Sequence, residues 1–162
     1  MKYRIIALGL SLFLYGIALT LPCLLFEIVP REISIEHLKD YGSFYEMNGL
    51  EVTGWGILGL LFLQIPALGW LANPVYWLSC IFFVRQQYKF SAITSLTAIA
   101  IGFGGTLSAF WFNLPNGSNL FSVLVLHKLL AGFWVWLSAP GLLGFISVFY
   151  LVKMTQYPEK ST

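Results

Sequence analysis

The stretch REISIEHLKDYGSFYE, residues 31–46, places Glu32, Glu36 and Asp40 at steps of four with His37 alongside. On a helix that spacing gathers the three carboxylates on one face, where their oxygens can hold a divalent cation. A site of the zinc type wants three or four ligands, and no second histidine or cysteine is near. The stretch therefore reads as a solvated loop with one short helix capped by Ser34, and no metal site is expected. His127, beside Lys128 in SNLFSVLVLHKLLA, is the other histidine. A histidine on an apolar helix can ligate haem or a chlorophyll-type pigment; next to a lysine it also serves as an amphipathic anchor at a membrane surface. One ligand without a partner favours the anchor, so no cofactor is assigned.

Other reactive groups are sparse. Between Val52 and Val84 the only amides are Gln64 and Asn73, and that region carries no Asp, Glu, His, Lys or Arg. Proton-coupled carriers and intramembrane metalloproteases keep an ionisable group at depth, so this pattern counts against both. Ser95, Ser108, Ser122 and Ser138 have no nearby base and read as helix-packing hydroxyls. Cys23 and Cys80 fall near opposite ends of the expected spans and read as free, packed thiols.

The elements that must position these groups are membrane helices. The chain of 162 residues is 58% hydrophobic and 10% charged, against about 25% charged residues in a soluble domain. Its net charge of +2 is too small and too scattered for nucleic-acid binding. Four apolar regions stand out: Ile5–Phe26, Val52–Val84, Ser91–Phe112 and Leu120–Val152. The first is long enough for a retained span rather than a cleaved signal. Lys2, Arg4, Arg85, Lys89, Lys153 and Lys160 flank one side of these regions. Glu27, Glu32, Glu36, Asp40, Glu46 and Glu51 crowd the connection 27–51 against Arg31 and Lys39. Basic residues mark the cytoplasmic side. Both termini are thus expected on the cytoplasmic side and the acidic loop outside. Trp55, Trp111, Trp134 and Trp136 would then sit at the outer interface, with Tyr3, Tyr88, Tyr150 and Tyr157 at the inner one. The expected fold is all-α, a single integral membrane domain over 1–162: a polytopic bundle of about four transmembrane spans.

Two regions exceed the roughly 20 residues of one span by about a dozen. In the last, the surplus reads as an outer interfacial helix opened by Ser118 and Asn119, leading into a span over 132–152. In the second, 52–84, GWLANP admits two arrangements. In the preferred one, Asn73 and Pro74 break a span of about Pro66–Val84 near mid-depth, with the earlier part interfacial or re-entrant. In the other, they turn the chain at the inner face after a crossing over Val52–Leu71. Trp70–Pro74 (WLANP) partly recurs as Trp136–Pro140 (WLSAP), so Trp70, Asn73, Pro74, Trp136 and Pro140 mark two helix breaks and a possible pocket, arranged as in transporters built from parallel repeats. Along the third span, Ser91, Ser95, Ala98, Gly102, Gly105 and Ala109 recur at fours and threes, a small-residue stripe on which helices pack closely.

LPC at Leu21–Cys23, NGLEVTGWGILGL at Asn48–Leu60, GWLANP, VRQQYK and AGFWVWLSA together resemble a family of small integral inner-membrane proteins of bacteria to which no activity is assigned. The likeness runs from Leu21 to about Ala139 and departs at Pro66 and in NLPNGSNLFSVLVLHKLL. It implies class and topology and carries over no catalytic residue. The expected function is non-enzymatic: an accessory subunit that binds lipid, a membrane protein partner or a second copy of itself. The alternatives are a small transporter or lipid-handling protein with its pocket at the broken helices, and an immunity-type protein against a membrane toxin.

Overall fold

The computed structural model describes residues 2–30, 43–119 and 121–156. The carboxylate stretch with Glu32, Glu36, His37 and Asp40, and the helix expected after Ser34, lie outside the described residues. Its elements in chain order are α1 (Lys2–Thr20), β1 (Pro22–Pro30), β2 (Phe44–Asn48), α2 (Gly49–Leu61) and a 3-10 helix (Ile65–Leu71) that runs into α3 (Ala72–Val84). There follow α4 (Tyr88–Ser108), β3 (Leu114–Pro115), β4 (Ser122–Leu129) and α5 (Ala131–Gln156). Four stretches are long and apolar enough to cross a membrane: Tyr3–Thr20, Ile65–Val84, Tyr88–Ser108 and Ala131–Gln156.

The all-α expectation needs correcting, because the four strands form one antiparallel sheet in the order β2-β1-β4-β3. Two apolar runs read as helix are strands. The first span ends at Thr20 rather than Phe26, since Pro22 disfavours helix at Leu21, and Phe26 belongs to β1. The expected interfacial helix before the last span is β4. Its short apolar run cannot be told from a helix by periodicity alone, and its pairing with β1 and β3 decides the matter. Leu24, Phe26 and Leu126 are buried on one face, with Phe26 paired to both Tyr45 and Leu126 and Ile28 paired to Leu124.

In the second region, α2 is too short to span. It begins with a capping box in which Asn48 Oδ1 accepts from Glu51 N–H at 2.9 Å and Glu51 Oε2 accepts from Asn48 N–H at 3.0 Å. Glu51, counted with the loop acids in the sequence, is thus a helix cap. The chain turns back at Leu63, in the left-handed region with φ of 53°, and the 3-10 helix and α3 form one crossing. The change of helix type falls at Leu71–Ala72. Pro74 occupies the first turn of α3, where a missing N–H costs little.

The helices pack with α5 between α1 and α4, and α3 against α4. Arg4 Nη2 donates to the Val84 carbonyl at 3.3 Å, its guanidinium lies 5.8 Å from the Tyr88 ring centroid, and Tyr88 stacks on Tyr150 at 4.9 Å. These contacts gather the start of α1, the α3–α4 turn and the end of α5 at one end of the bundle; the sheet caps the other. Between α3, α4 and α5 lies a layer of buried serines. Ser79 Oγ is 2.6 Å from Ser95 Oγ and donates to the Ser91 carbonyl at 2.9 Å, while Ser147 Oγ donates to Ser91 Oγ at 2.9 Å. The small-residue stripe lies at this centre. Gly102 meets Ala72 and Trp136, Gly105 meets Gly69 backbone to backbone, and Ser95 meets Gly144.

Candidate functional site: a cavity beneath the sheet

Between the apolar face of the sheet and the helices lies a cavity of about 430 Å³, within the roughly 300–1,000 Å³ of small-molecule pockets. Leu24, Phe26 and Met47 roof it, α2 supplies Val52, Trp55 and Gly56, and the 3-10 helix supplies Ala67 and Trp70. Asn73, Phe133 and Trp136 close it from the helix side. Among the described lining residues there is no Asp, Glu, Lys, Arg or His. Trp55, Leu58 and Phe62 on one rim, and Pro115, Gly117 and Ser118 on another, are exposed and mark where the cavity opens.

Local sequence explains the walls. Alternation in β1 turns Leu24, Phe26 and Ile28 to the same side. Gly56 lets α2 lie against Trp70, because a Cβ there would stand 2.6 Å from the indole Cδ1. Trp70 and Asn73 are three residues apart at the entry to α3 and so share a side.

Asn73 anchors the inner wall. It is 8% exposed, and its Oδ1 accepts from Tyr15 Oη at 3.1 Å and from Trp136 Nε1 at 3.1 Å. An indole nitrogen only donates, so the atom facing Trp136 must be the amide oxygen. A turn away, Ser11 Oγ donates to the Ala139 carbonyl at 2.8 Å and lies 2.8 Å from Tyr76 Oη. Trp70 Nε1 is buried and has no hydrogen-bond partner. Outside the spans, burial pushes the Cys23 thiol up to about 11. Burial, then the charge and hydrogen bond of Glu51, raises the Tyr45 phenol.

The site residues named from the sequence divide clearly. Trp70, Asn73 and Trp136 come together, and Trp136 is a partner of Asn73 rather than a headgroup anchor. Pro74 is exposed and Pro140 is buried inside a continuous α5, so the second helix break is not there. The repeat fares no better in the topology: a parallel repeat would give the first strand of each half the same place, yet β1 is internal and β3 is at an edge. In the stripe, Ala109 and the Gly69 that faces Gly105 line the cavity, while Ser91, Ser95, Ala98 and Gly102 are packing residues. His127 is exposed on β4, at the bulge where Leu25 pairs with Lys128 and Phe26 with Leu126, with its ring centroid 5.2 Å from that of Phe44. The apolar helix on which a pigment ligand was considered is absent there. Among the described residues no three metal-ligating side chains cluster.

Tyr15 and the sheet residues Phe26, Tyr45 and Met47 were not picked out from sequence. Tyr15, which with Ser11 is a polar side chain in the middle of an otherwise apolar α1, was a visible signal. No family model, curated protein or solved structure matches this chain, so the site stands on its own geometry.

Proposed function

We propose that this is a small integral membrane protein that holds an apolar, lipid-class ligand in the cavity beneath the sheet, without catalysing a reaction on it. The observation that carries the reading is a cavity of about 430 Å³ walled by aromatic and aliphatic side chains, with amide and indole groups on one wall. A few placed polar groups in an apolar wall are the usual make-up of a ligand pocket. The hydroxyls of Ser79, Ser91, Ser95 and Ser147 bond to one another and to carbonyls, with no base among the described residues bonded to them, which supports a binding role.

The orientation supports a matching placement. Arg4, Arg85, Lys89 and Lys153 belong to the helix ends opposite the sheet, and basic ends face the cytoplasm. The sheet and cavity would then lie on the outer side of a bacterial inner membrane, as the family resemblance implies. The accessory-subunit reading drew on the small-residue stripe, the aromatic outer ends and the lack of buried ionisable groups; of these, the stripe is taken up by the chain's own α3, 3-10 helix and α5. An immunity-type role has size and topology alone behind it.

The test is retention of lipid. Protein purified in mild detergent is extracted and its co-purifying lipids measured by mass spectrometry against a detergent blank. Val52→Trp, which fills the cavity from α2, is expected to cut retained lipid several-fold in a folded protein. Equal retention by Val52→Trp and the unaltered chain would end this reading. The paired change Asn73→Ala with Pro74→Ala should also abolish retention, but it unpairs Tyr15 and Trp136 and so tests folding as well.

A further inference from the structure

We propose that the cavity draws its ligand from the bilayer leaflet on the sheet side, sideways between α2 and the β3–β4 turn, through a mouth gated by the indole of Trp55. This rests on the cavity reading above and adds the ligand's source and its path.

The depth of the cavity comes first. The span Ile65–Val84 opens with the seven residues of the 3-10 helix. At about 2.0 Å per residue these cover roughly 14 Å, about half of a hydrocarbon layer of about 30 Å. The α2 helix lies along this same stretch: a Cβ on Gly56 would meet the Trp70 side chain, and one on Gly59 would stand 2.7 Å from Ala67 Cβ. Trp55, Leu58 and Phe62 on the rim therefore sit at membrane depth, within the leaflet on the sheet side. No charged residue lies between Glu51 and Arg85, and Leu61, Phe62 and Leu63 at the tip of the hairpin are each at least 74% exposed. In water such a tip would be a large uncovered apolar patch; among acyl chains it is at home. A lipid thus already lies beside the mouth and reaches the cavity without passing through water.

The gate is one side chain. Trp55 and Gly117 line the cavity from two sides of its mouth. A Cβ on Gly117 would stand 3.3 Å from Trp55 Cη2, so the far edge of the indole reaches the β3–β4 turn and spans the gap. Glycine lets the ring close there, because a side chain at 117 would compete for the same space. Trp55 is 53% exposed, and a rotation that moves it outward opens the mouth without unpacking the helices.

The experiment follows the exchange of resident lipid. Full-length protein is made in cells grown on carbon-13 glucose, reconstituted into vesicles of unlabelled total lipid from the same cells, and repurified at intervals. Mass spectrometry then measures the labelled lipid still held. A variant with Trp55→Cys and Gly117→Cys, in a background of Cys23→Ala and Cys80→Ala, is bridged by a short bis-methanethiosulfonate linker that reductant releases. The bridged form should exchange at least about tenfold more slowly than the same protein capped with methyl methanethiosulfonate, and reductant should restore the rate. Trp55→Ala should exchange roughly tenfold faster than the unaltered chain, and Gly117→Leu roughly tenfold more slowly. Chain length reports the route. Release through water exposes every methylene and should slow by more than about tenfold for each two carbons added. Release into the leaflet should vary by less than about twofold across the resident chain lengths.

Equal exchange by the bridged and capped forms would overturn the gate and leave the cavity. A tenfold slowing for each two carbons would overturn the sideways route in favour of one through water. Should the linker fail to bridge the pair, the two point variants decide, and rates for both within about twofold of the unaltered chain overturn the gate. Absence of labelled lipid above a detergent blank at the first time point would remove the cavity reading itself.

Discussion

Gly104 and Gly105 are neighbours on α4, and alanine at each should have opposite effects. A Cβ on Gly104 meets nothing within 4 Å, whereas one on Gly105 lands closer than 3.0 Å to both the nitrogen and Cα of Gly69. The obstructing atoms are backbone of the 3-10 helix and cannot rotate away, so α4 and that helix must part by about 1 Å, at an overpacking cost of about 1–3 kcal/mol or more. Both substitutions gain the same helix propensity, about 0.5–1 kcal/mol, and this cancels between them. The difference should therefore be about 1–3 kcal/mol or more, or roughly 2–12 °C in Tm for a chain of this size. Thermal unfolding of the two variants in the same detergent measures it, with Gly104→Ala at or above the unaltered protein and Gly105→Ala well below. Because Gly69 and Trp70 belong to the cavity wall, Gly105→Ala should also lower the amount of co-purifying lipid. Variants with Tm values within about 1 °C of each other would refute the backbone contact on which the cavity wall depends.

Tyr15→Phe and Trp136→Phe each remove one donor from Asn73 Oδ1 and should each cost about 1 kcal/mol. Together they should cost more than their sum, because the carbonyl then has no partner, and a double-mutant cycle measures that coupling. Cys23 should resist maleimide in the folded protein and react in denaturing detergent, since the buried thiol is pushed up to about 11. With the folded value raised above the ordinary 9.0, stability is full below about pH 9 and is lost as pH rises toward 11. The loss reaches at most about 2–3 kcal/mol, and Cys23→Ala should flatten that part of the pH–stability profile. Single cysteines placed at Glu46 on the sheet and Gln86 at the opposite end should be labelled from opposite sides of the membrane; labelling from the same side would overturn the orientation.

The spans were legible because length and apolarity alone specify a membrane helix, and little else in a sequence imitates twenty uncharged residues. The strands were not. In LPCLLFEIVP and SVLVLHKL, the sheet face turned to the cavity and the opposite sheet face are both largely apolar, so the alternation that identifies a half-exposed strand is blurred at Leu25, Val123 and Val125. Pro22, two residues after the last helical residue, was the local sign that α1 stops. The pocket was half legible. Asn73 and Trp70 stood out as polar groups in an apolar run, and Trp136 through its likeness to Trp70. What brought Trp136 to Asn73 was a hydrogen bond between α5 and α3, not a shared ancestral turn.

The two polar layers of this bundle differ in a way that bears on whether the cavity is a site or a packing defect. In the serine layer, each hydroxyl finds another hydroxyl or a carbonyl, and the helices close around it to 0% exposure at Ser79, Ser91, Ser95 and Ser147. At the level of Asn73 the same chain directs Tyr15 and Trp136 onto a single amide oxygen, and beside it leaves open space. Poor packing produces a void wherever volumes fail to match, with no reason for its walls to be fixed by close backbone approaches. Here the walls are held by a backbone contact at Gly69–Gly105 and by Gly56 against Trp70, and the space they keep open is apolar and suited to a body that needs no charge to be held.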